Sequence, residues 1–165
     1  MNTLARLIAT VFYVGHMKPA PGTWGSLIAL PIGFAIYQIG GFWLFALAIP
    51  IGFLKGWWAT QQMTRGRDNH DPSEIVIDEV IGQWIALLPV FYGVWLMDIS
   101  ALALWPGWVA AFILFRAFDI TKPWLVGWAD RRDDALGVML DDVIAGVFAA
   151  ICVVALAALF HLVLM

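Results

Sequence analysis

Four stretches of this chain carry no Asp, Glu, Lys or Arg: Leu27 to Leu54, Val80 to Met97, Ile99 to Phe115, and Val143 to the C-terminus. A run of about 18 or more apolar residues is long enough to cross a bilayer as a helix. In a chain of 165 residues with 62% hydrophobic and 13% charged side chains, so many such runs lie far from the composition of soluble domains. The expectation is an all-α, polytopic integral membrane bundle, with one domain covering residues 1–165. A formal net charge of −3 offers no basic surface for nucleic acid. The single cysteine, Cys152, lies in an apolar run, so neither a disulfide framework nor a cysteine metal site is expected. Arg6 precedes an apolar patch, but no small-residue cleavage site follows before Lys18, and no cleaved signal peptide is read.

The first apolar run is too long for one simple span. It is interrupted at Gly40-Gly41 and contains Pro31 and Pro50. A single tilted helix would split the basic residues across both faces of the membrane. A hairpin of two short helices puts every Lys and Arg, from Arg6 to Arg132, on one side. The positive-inside rule favours the hairpin and makes that side cytoplasmic. Each arm is short for a hydrocarbon core of roughly 30 Å, so the arms must extend into Ser26 and through Trp57-Trp58. Residues from about Thr3 to Val14 read as a short interfacial helix. Trp57, Trp58, Trp124 and Trp128 flank charged segments, where they serve either as headgroup-layer anchors or as ordinary core aromatics.

Two short segments at the edges of these runs match each other. Ile75-Val76-Ile77-Asp78-Glu79-Val80-Ile81-Gly82 is echoed by Val138-Met139-Leu140-Asp141-Asp142-Val143-Ile144-Ala145. Both acid pairs are expected at the cytoplasmic N-terminal ends of outward-running helices. A helix dipole accounts for one acid at such an end. It does not account for two adjacent ones, which point about 100° apart, and acids at membrane depth usually carry function. Gly82 and Ala145 allow the two helices to approach closely. Carboxylates brought together in this way repel unless a cation bridges them.

Between the pairs, Arg116 and Asp119 share one helical face and Pro123 ends that helix after Lys122. This element suits an anionic substrate near a metal; it equally suits an interfacial ion pair with a snorkelling lysine. Pro21-Gly22-Thr23-Trp24-Gly25-Ser26 reads as a glycine-containing loop before an apolar helix. Such a loop either directs N–H groups at phosphate or caps the helix through Thr23 or Ser26. His70, just before the first acid pair, either positions phosphate or water or is an exposed loop histidine. Asp130 to Asp134 read as a solvated loop. The ligand types are hard oxygen donors, which favour Mg²⁺ or Mn²⁺ over Zn²⁺, and Mg²⁺ held by carboxylates commonly serves phosphate chemistry. No Asp-x-Asp nucleophile, cysteine phosphate loop or histidine-based lipid phosphatase cluster is present.

Taken together, these blocks resemble the phosphatidylglycerophosphatase A family. They are Pro21 to Ser26; His70-Asp71 with Ile75 to Gly82; Phe115-Arg116, Asp119 and Lys122-Pro123-Trp124; and Gly137 to Met139 with Asp141 to Gly146. The likeness runs through nearly the whole chain in the same order. It implies a bacterial, Mg²⁺-dependent, inner-membrane phosphatase that converts phosphatidylglycerophosphate to phosphatidylglycerol, with its active site facing the cytoplasm. Asp78, Glu79, Asp119, Asp141 and Asp142 are then expected to bind metal and catalyse. Lys122 and Arg116 would meet phosphate, with Gly22, Thr23, Ser26 and His70 completing substrate binding. Bilayer lipid is the expected partner, and a homo-oligomer is left open. Two rivals remain: a cation transporter with acid pairs near mid-bilayer, and a phosphatase for another lipid phosphate.

Overall fold

The long first run sets the architecture, because a bilayer cannot hold it straight. In the computed structural model, which describes residues 2–66 and 72–164, helix α2 covers Pro21–Thr64. A straight helix of that length would measure roughly 66 Å, about twice the hydrocarbon thickness. The helix instead reverses at Gly40 (φ −145°, ψ 17°) and Gly41 (φ 67°, ψ −164°). The Gly41 conformation is one that only glycine adopts without strain. The hairpin expected from the charge distribution is therefore present, and its two arms, residues 21–39 and 42–64, run side by side.

Both arms lie along α3 (Ile77–Met97), the first running parallel to it and the second antiparallel. On the first arm, Gly25 packs on Val76, the Ala29 carbonyl accepts from Trp84 Nε1–H at 2.9 Å, and Tyr37 stacks on Phe91. On the second arm, Phe45 meets Phe91 and Trp84, Gly52 meets Ile81, and Gly56 meets Ile77. Helix α4 (Trp105–Thr121) returns antiparallel to α3, with Gly107 on Val90 and Phe115 against Gly82. After the short α5 (Leu125–Asp130), helix α6 (Ala135–Leu164) runs parallel to α3, where Gly146 lies against the Gly82 carbonyl. Among the described residues, four helices are long and apolar enough to cross a membrane: α2, α3, the segment Ala101–Thr121 containing α4, and α6. Among these, α3 is the central one, with 61% of its span buried against 17–22% for the others. Among the described residues there is no strand.

Packing apolar surface against apolar surface gains little where the solvent is hydrocarbon. Close backbone approach through small residues is what holds such helices together. The sequence places Gly52, Gly82 and Gly146 where a Cβ would collide with a neighbouring helix, and Gly33 and Gly56 where it would fit only tightly. Gly82 packs closely on Gly146 and the Asp142 carbonyl, and Ala145 beside them is buried.

The N-terminus differs in extent from the expected helix. Helix α1 is only Thr3–Ala9, capped by Asn2 accepting from Leu4 N–H. It is followed by three left-handed residues, Val11, Phe12 and Tyr13, and a 3₁₀ turn at Val14–His16. Ala5 and Ala9 seat it on Ala59, Met63, Ile75 and Val138. The Ala9 carbonyl accepts from Val76 N–H at 2.9 Å, which ties this segment to the lead into α3. Every described Lys and Arg lies at this same end of the bundle, from Arg6 beside His16 to the Arg132–Asp134 pair.

Candidate active site at the polar end of the bundle

Helix α3 begins at Ile77, so Asp78 and Glu79 stand in its first turn, as expected. The second pair does not. Helix α6 begins at Ala135, and the Asp134 carboxylate accepts from Gly137 N–H at 2.7 Å, forming its N-cap. Asp141 and Asp142 therefore sit nearly two turns inside, beyond the reach of the helix terminus. The parallel packing of α3 and α6 compensates, because the Gly82–Gly146 contact lies one turn beyond Asp78 and Asp142 and brings these two acids face to face.

One carboxylate oxygen from each of Asp78, Glu79 and Asp142 lies within 4.8 Å of the others. Asp78 and Asp142 are buried. At that spacing each pair of charges repels by about 3 kcal/mol for an effective dielectric near 20. Glu79 Oε2 and Asp142 Oδ1 are buried with no hydrogen-bond partner among the described residues. Three converging carboxylates with unpartnered oxygens suit a hard divalent cation. The residues present fit the group that the donor chemistry implies.

The remaining acids have basic partners. Asp119 pairs with Arg116 and lies within electrostatic reach of Glu79, Asp141 and Asp142. Asp141 turns away from the cluster and accepts from Lys122 Nζ at 3.1 Å. The five expected metal-binding acids thus divide into a close set of three and two flanking members that are salt-bridged.

Arg116 also reaches the first arm, donating to Ser26 Oγ at 3.4 Å, while Ser26 donates to the Gly22 carbonyl at 2.9 Å. The Gly22–Ser26 segment is no loop: Pro21 opens α2 after Ala20, and these residues form the first helical turns. Neither Thr23 nor Ser26 caps the helix, because the N-cap is Ala20, which offers no side-chain bond. Gly22 instead gives Glu79 room, since a Cβ there would lie 2.2 Å from Glu79 Oε1 and 3.4 Å from an Arg116 nitrogen. Thr23 is partly buried in the same turn, with its N–H on the Ala20 carbonyl at 3.0 Å. His70 lies outside the described residues.

Two residues join the site without having been singled out from the sequence. Gln83 is fully buried one turn beyond Glu79 on the same face of α3, and neither of its amide atoms has a partner among the described residues. Its i,i+4 spacing from Glu79 was the available signal. Asp130, assigned to a solvated loop with Arg131 to Asp134, instead ends α5 and binds Lys122 Nζ. Partial burial draws the Lys122 pKa down, but Asp130 and Asp141 together raise it above its ordinary value, so the ammonium stays charged. A cavity of about 570 Å³ opens nearby, lined by Trp57, Gln61, Arg65 and Asp133 among others. It contains none of the clustered acids.

With this geometry in view, the comparisons with known proteins are specific. Residues 7–157 match the family profile described as Phosphatidylglycerophosphatase A. The chain is 36% identical over 151 residues to phosphatidylglycerophosphatase A of Haemophilus influenzae, covering 91% of this chain and 86% of that protein. It is 35% identical to the Escherichia coli protein of the same name, covering 91% and 81%. A putative phosphatidylinositol-3-phosphatase of Bacteroides thetaiotaomicron is 37% identical, with 89% of each chain covered. No solved structure matches the chain. The profile match over most of the sequence, with two relatives of that name above 30% identity, shows that this chain belongs to the phosphatidylglycerophosphatase A family.

Proposed function

We propose that this protein is a Mg²⁺-dependent membrane phosphatase that hydrolyses the terminal phosphate of phosphatidylglycerophosphate to give phosphatidylglycerol. The observation that carries the reading is the Asp78–Glu79–Asp142 cluster, whose unpartnered oxygens lie among Arg116, Lys122 and the flanking acids. Asp78, Glu79 and Asp142 are the residues that would hold Mg²⁺, with Asp119 and Asp141 beside them. When bound, the ion supplies Lewis-acid stabilisation of phosphoryl oxygens and a more acidic water. Lys122 contributes an N–H donor for a phosphate oxygen. Arg116, whose Nε has no partner among the described residues, contributes another. Asp119 holds the Arg116 guanidinium in place, and the apolar bodies of α3, α4 and α6 exclude bulk water from the side facing the membrane.

The end of the bundle bearing all described Lys and Arg faces the cytoplasm in this reading, by the positive-inside rule, and the membrane is the bacterial inner membrane. Helix α1, which exposes Leu4 and is followed by the exposed Phe12 and Tyr13, rests at the interface on that side. The acids at one end of the bundle, with cationic side chains beside them, favour phosphate chemistry over ion transport. A second reading, hydrolysis of another lipid phosphate monoester, is favoured by the printed name of the Bacteroides relative.

The test is phosphate release by purified protein in lipid vesicles containing phosphatidylglycerophosphate, with Mg²⁺ or with chelator, for wild type, Asp78→Asn and Asp141→Asn. Release that ignores both chelator and substitution sinks the metal reading. Release from phosphatidylinositol 3-phosphate alone transfers the site to the second substrate.

A further inference from the structure

Lys122 occupies an unusual position. It caps α4 in the left-handed conformation (φ 46°), and Trp124, two residues on, is left-handed as well (φ 42°). Non-glycine residues adopt that region at a cost, and such outliers cluster where a site demands a particular geometry. Here the strained turn folds α5 back over the end of α4. A Cβ on Gly127 would lie 2.6 Å from the Lys122 carbonyl, so the two segments touch backbone to backbone. The consequence is that Asp130, the last residue of α5, arrives on the Lys122 ammonium from one side while Asp141 of α6 arrives from another.

An ammonium has three N–H donors and no acceptor. Two of them are taken by Asp130 and Asp141, and about a third of the lysine side chain remains exposed. The Lys122–Asp141 bond alone would leave a four-carbon stem with much of its rotamer freedom. Asp130 removes that freedom and leaves one ammonium N–H without a partner among the described residues. Asp130 is itself 39% exposed, so it stands outside the buried acids and is no member of the close set of three.

Resting on the phosphatase reading, we propose that Asp130 is a positioning residue for phosphate recognition: it clamps Lys122 between α5 and α6 so that one ammonium N–H is presented to an oxygen of the lipid phosphate. Asp130 itself touches neither phosphate nor cation.

The experiment compares wild type, Asp130→Asn, Asp130→Glu, Lys122→Met and the double variant in vesicles containing phosphatidylglycerophosphate or phosphatidylinositol 3-phosphate. Phosphate release and inhibition by added inorganic phosphate are both measured. Asp130→Asn is expected to lower kcat/KM by roughly 10- to 100-fold, the scale of a misplaced binding group. It is also expected to weaken inhibition by inorganic phosphate. In the Lys122→Met background the same change should cost less than about threefold, because a residue acting through Lys122 has nothing left to act on. Asp130→Glu should restore most of the loss, and Asp134→Asn, which keeps an N-cap acceptor at the start of α6, should change little.

An inhibition constant does not depend on how much of the protein has folded, so it separates positioning from a structural role. Asp130→Asn activity that falls with the inhibition constant unchanged overturns the proposal. An equal cost of Asp130→Asn with and without Lys122 does so as well. Wild-type protein inactive on both lipids removes the phosphatase reading and the Asp130 role together, whereas active wild type with a null cycle removes only the latter.

Discussion

The two acid pairs share a sequence pattern and live in different surroundings. Asp78 and Glu79 occupy the first turn of the most enclosed helix. The α2 hairpin packs against them, and Val76 just before them is held by the Ala9 carbonyl. Both side chains enter the cluster. Asp141 and Asp142 lie well inside α6, and they part: Asp142 joins the cluster, while Asp141 turns to Lys122. Adjacent residues on a helix diverge by about 100°, so one partner helix can collect only one member of such a pair fully. In the first pair the divergence is overcome because α6 and α4 stand on two sides of α3, so that Asp78 and Glu79 each face part of the site. The second pair has α3 on one side and the α4–α5 turn on the other. The same motif thus supplies two ligand candidates in one place, and one ligand candidate plus one anchor in the other.

The strongest way to break this comparison is to neutralise the acids one at a time. Asp78→Asn, Glu79→Gln and Asp142→Asn are each expected to reduce phosphate release by more than the roughly 10–100-fold typical of losing an outer partner of a metal site. Added Mg²⁺ or Mn²⁺ is expected to raise the melting temperature of wild type, and each of these variants should lose that rise. An Asp142 variant that keeps both properties would show that the cluster is not the cation site.

Next in size is the register itself. A Cβ on Gly82 would come within 2.4 Å of the Phe115 ring and 2.6 Å of the Asp142 carbonyl, and one on Gly146 within 2.4 Å of the Gly82 carbonyl. Backbone cannot step aside as a side chain can. Gly82→Ala and Gly146→Ala should each destabilise by about 1–3 kcal/mol and lower the melting temperature. Activity should fall as well, since Asp142 is pushed away from Asp78. Ala145 is also buried, but removing its methyl forces no backbone apart, so Ala145→Gly should lower activity less than either alanine substitution. That contrast tests whether the Gly82–Gly146 contact sets the register of α3 against α6.

The parts of this site that were legible in the sequence are those written in charge and composition. The hairpin could be read because Gly40-Gly41 interrupts the run and because only a reversal gathers the basic residues. The acid pairs stood out against hydrocarbon. The start of α6 was harder, because the apolar run begins after Asp142, while the helix begins earlier, at an Asp134 cap among other charged residues. Pro21 at the first helical position, a recognised helix-start signal, marked the supposed glycine loop as helix. Asp130 was not legible at all. Its link to Lys122 spans a proline break and two left-handed residues, so no helical period connects them. Distances across a turn of that kind come only from the packing of α5 on α6.

Within the second pair, Asp141→Asn should fall below the Asp142 variant in effect. Asparagine keeps an acceptor for Lys122 but loses the charge, and the cluster of three is left intact. The expected loss is about 10-fold in kcat/KM, with the stabilisation by Mn²⁺ largely retained. Equal losses for the two neighbours, in both activity and Mn²⁺ stabilisation, would show that Asp141 also reaches the cation and that the division of roles is mistaken.

The smallest effect concerns the room that α2 leaves for the first pair. Gly22 lies in the opening turn of a helix, where replacing glycine by alanine ordinarily stabilises by about 0.5–1 kcal/mol. Its Cβ would, however, lie 2.2 Å from Glu79 Oε1, the far end of a flexible side chain that can swing away cheaply. Gly22→Ala is therefore expected to hold or slightly raise the melting temperature while lowering activity by about 3- to 10-fold, because Glu79 must leave its place beside Asp78 and Asp142. A stability gain with undiminished phosphate release would mean that Glu79 tolerates displacement, and the first pair would then resemble the second, with one acid in the cluster and one outside it.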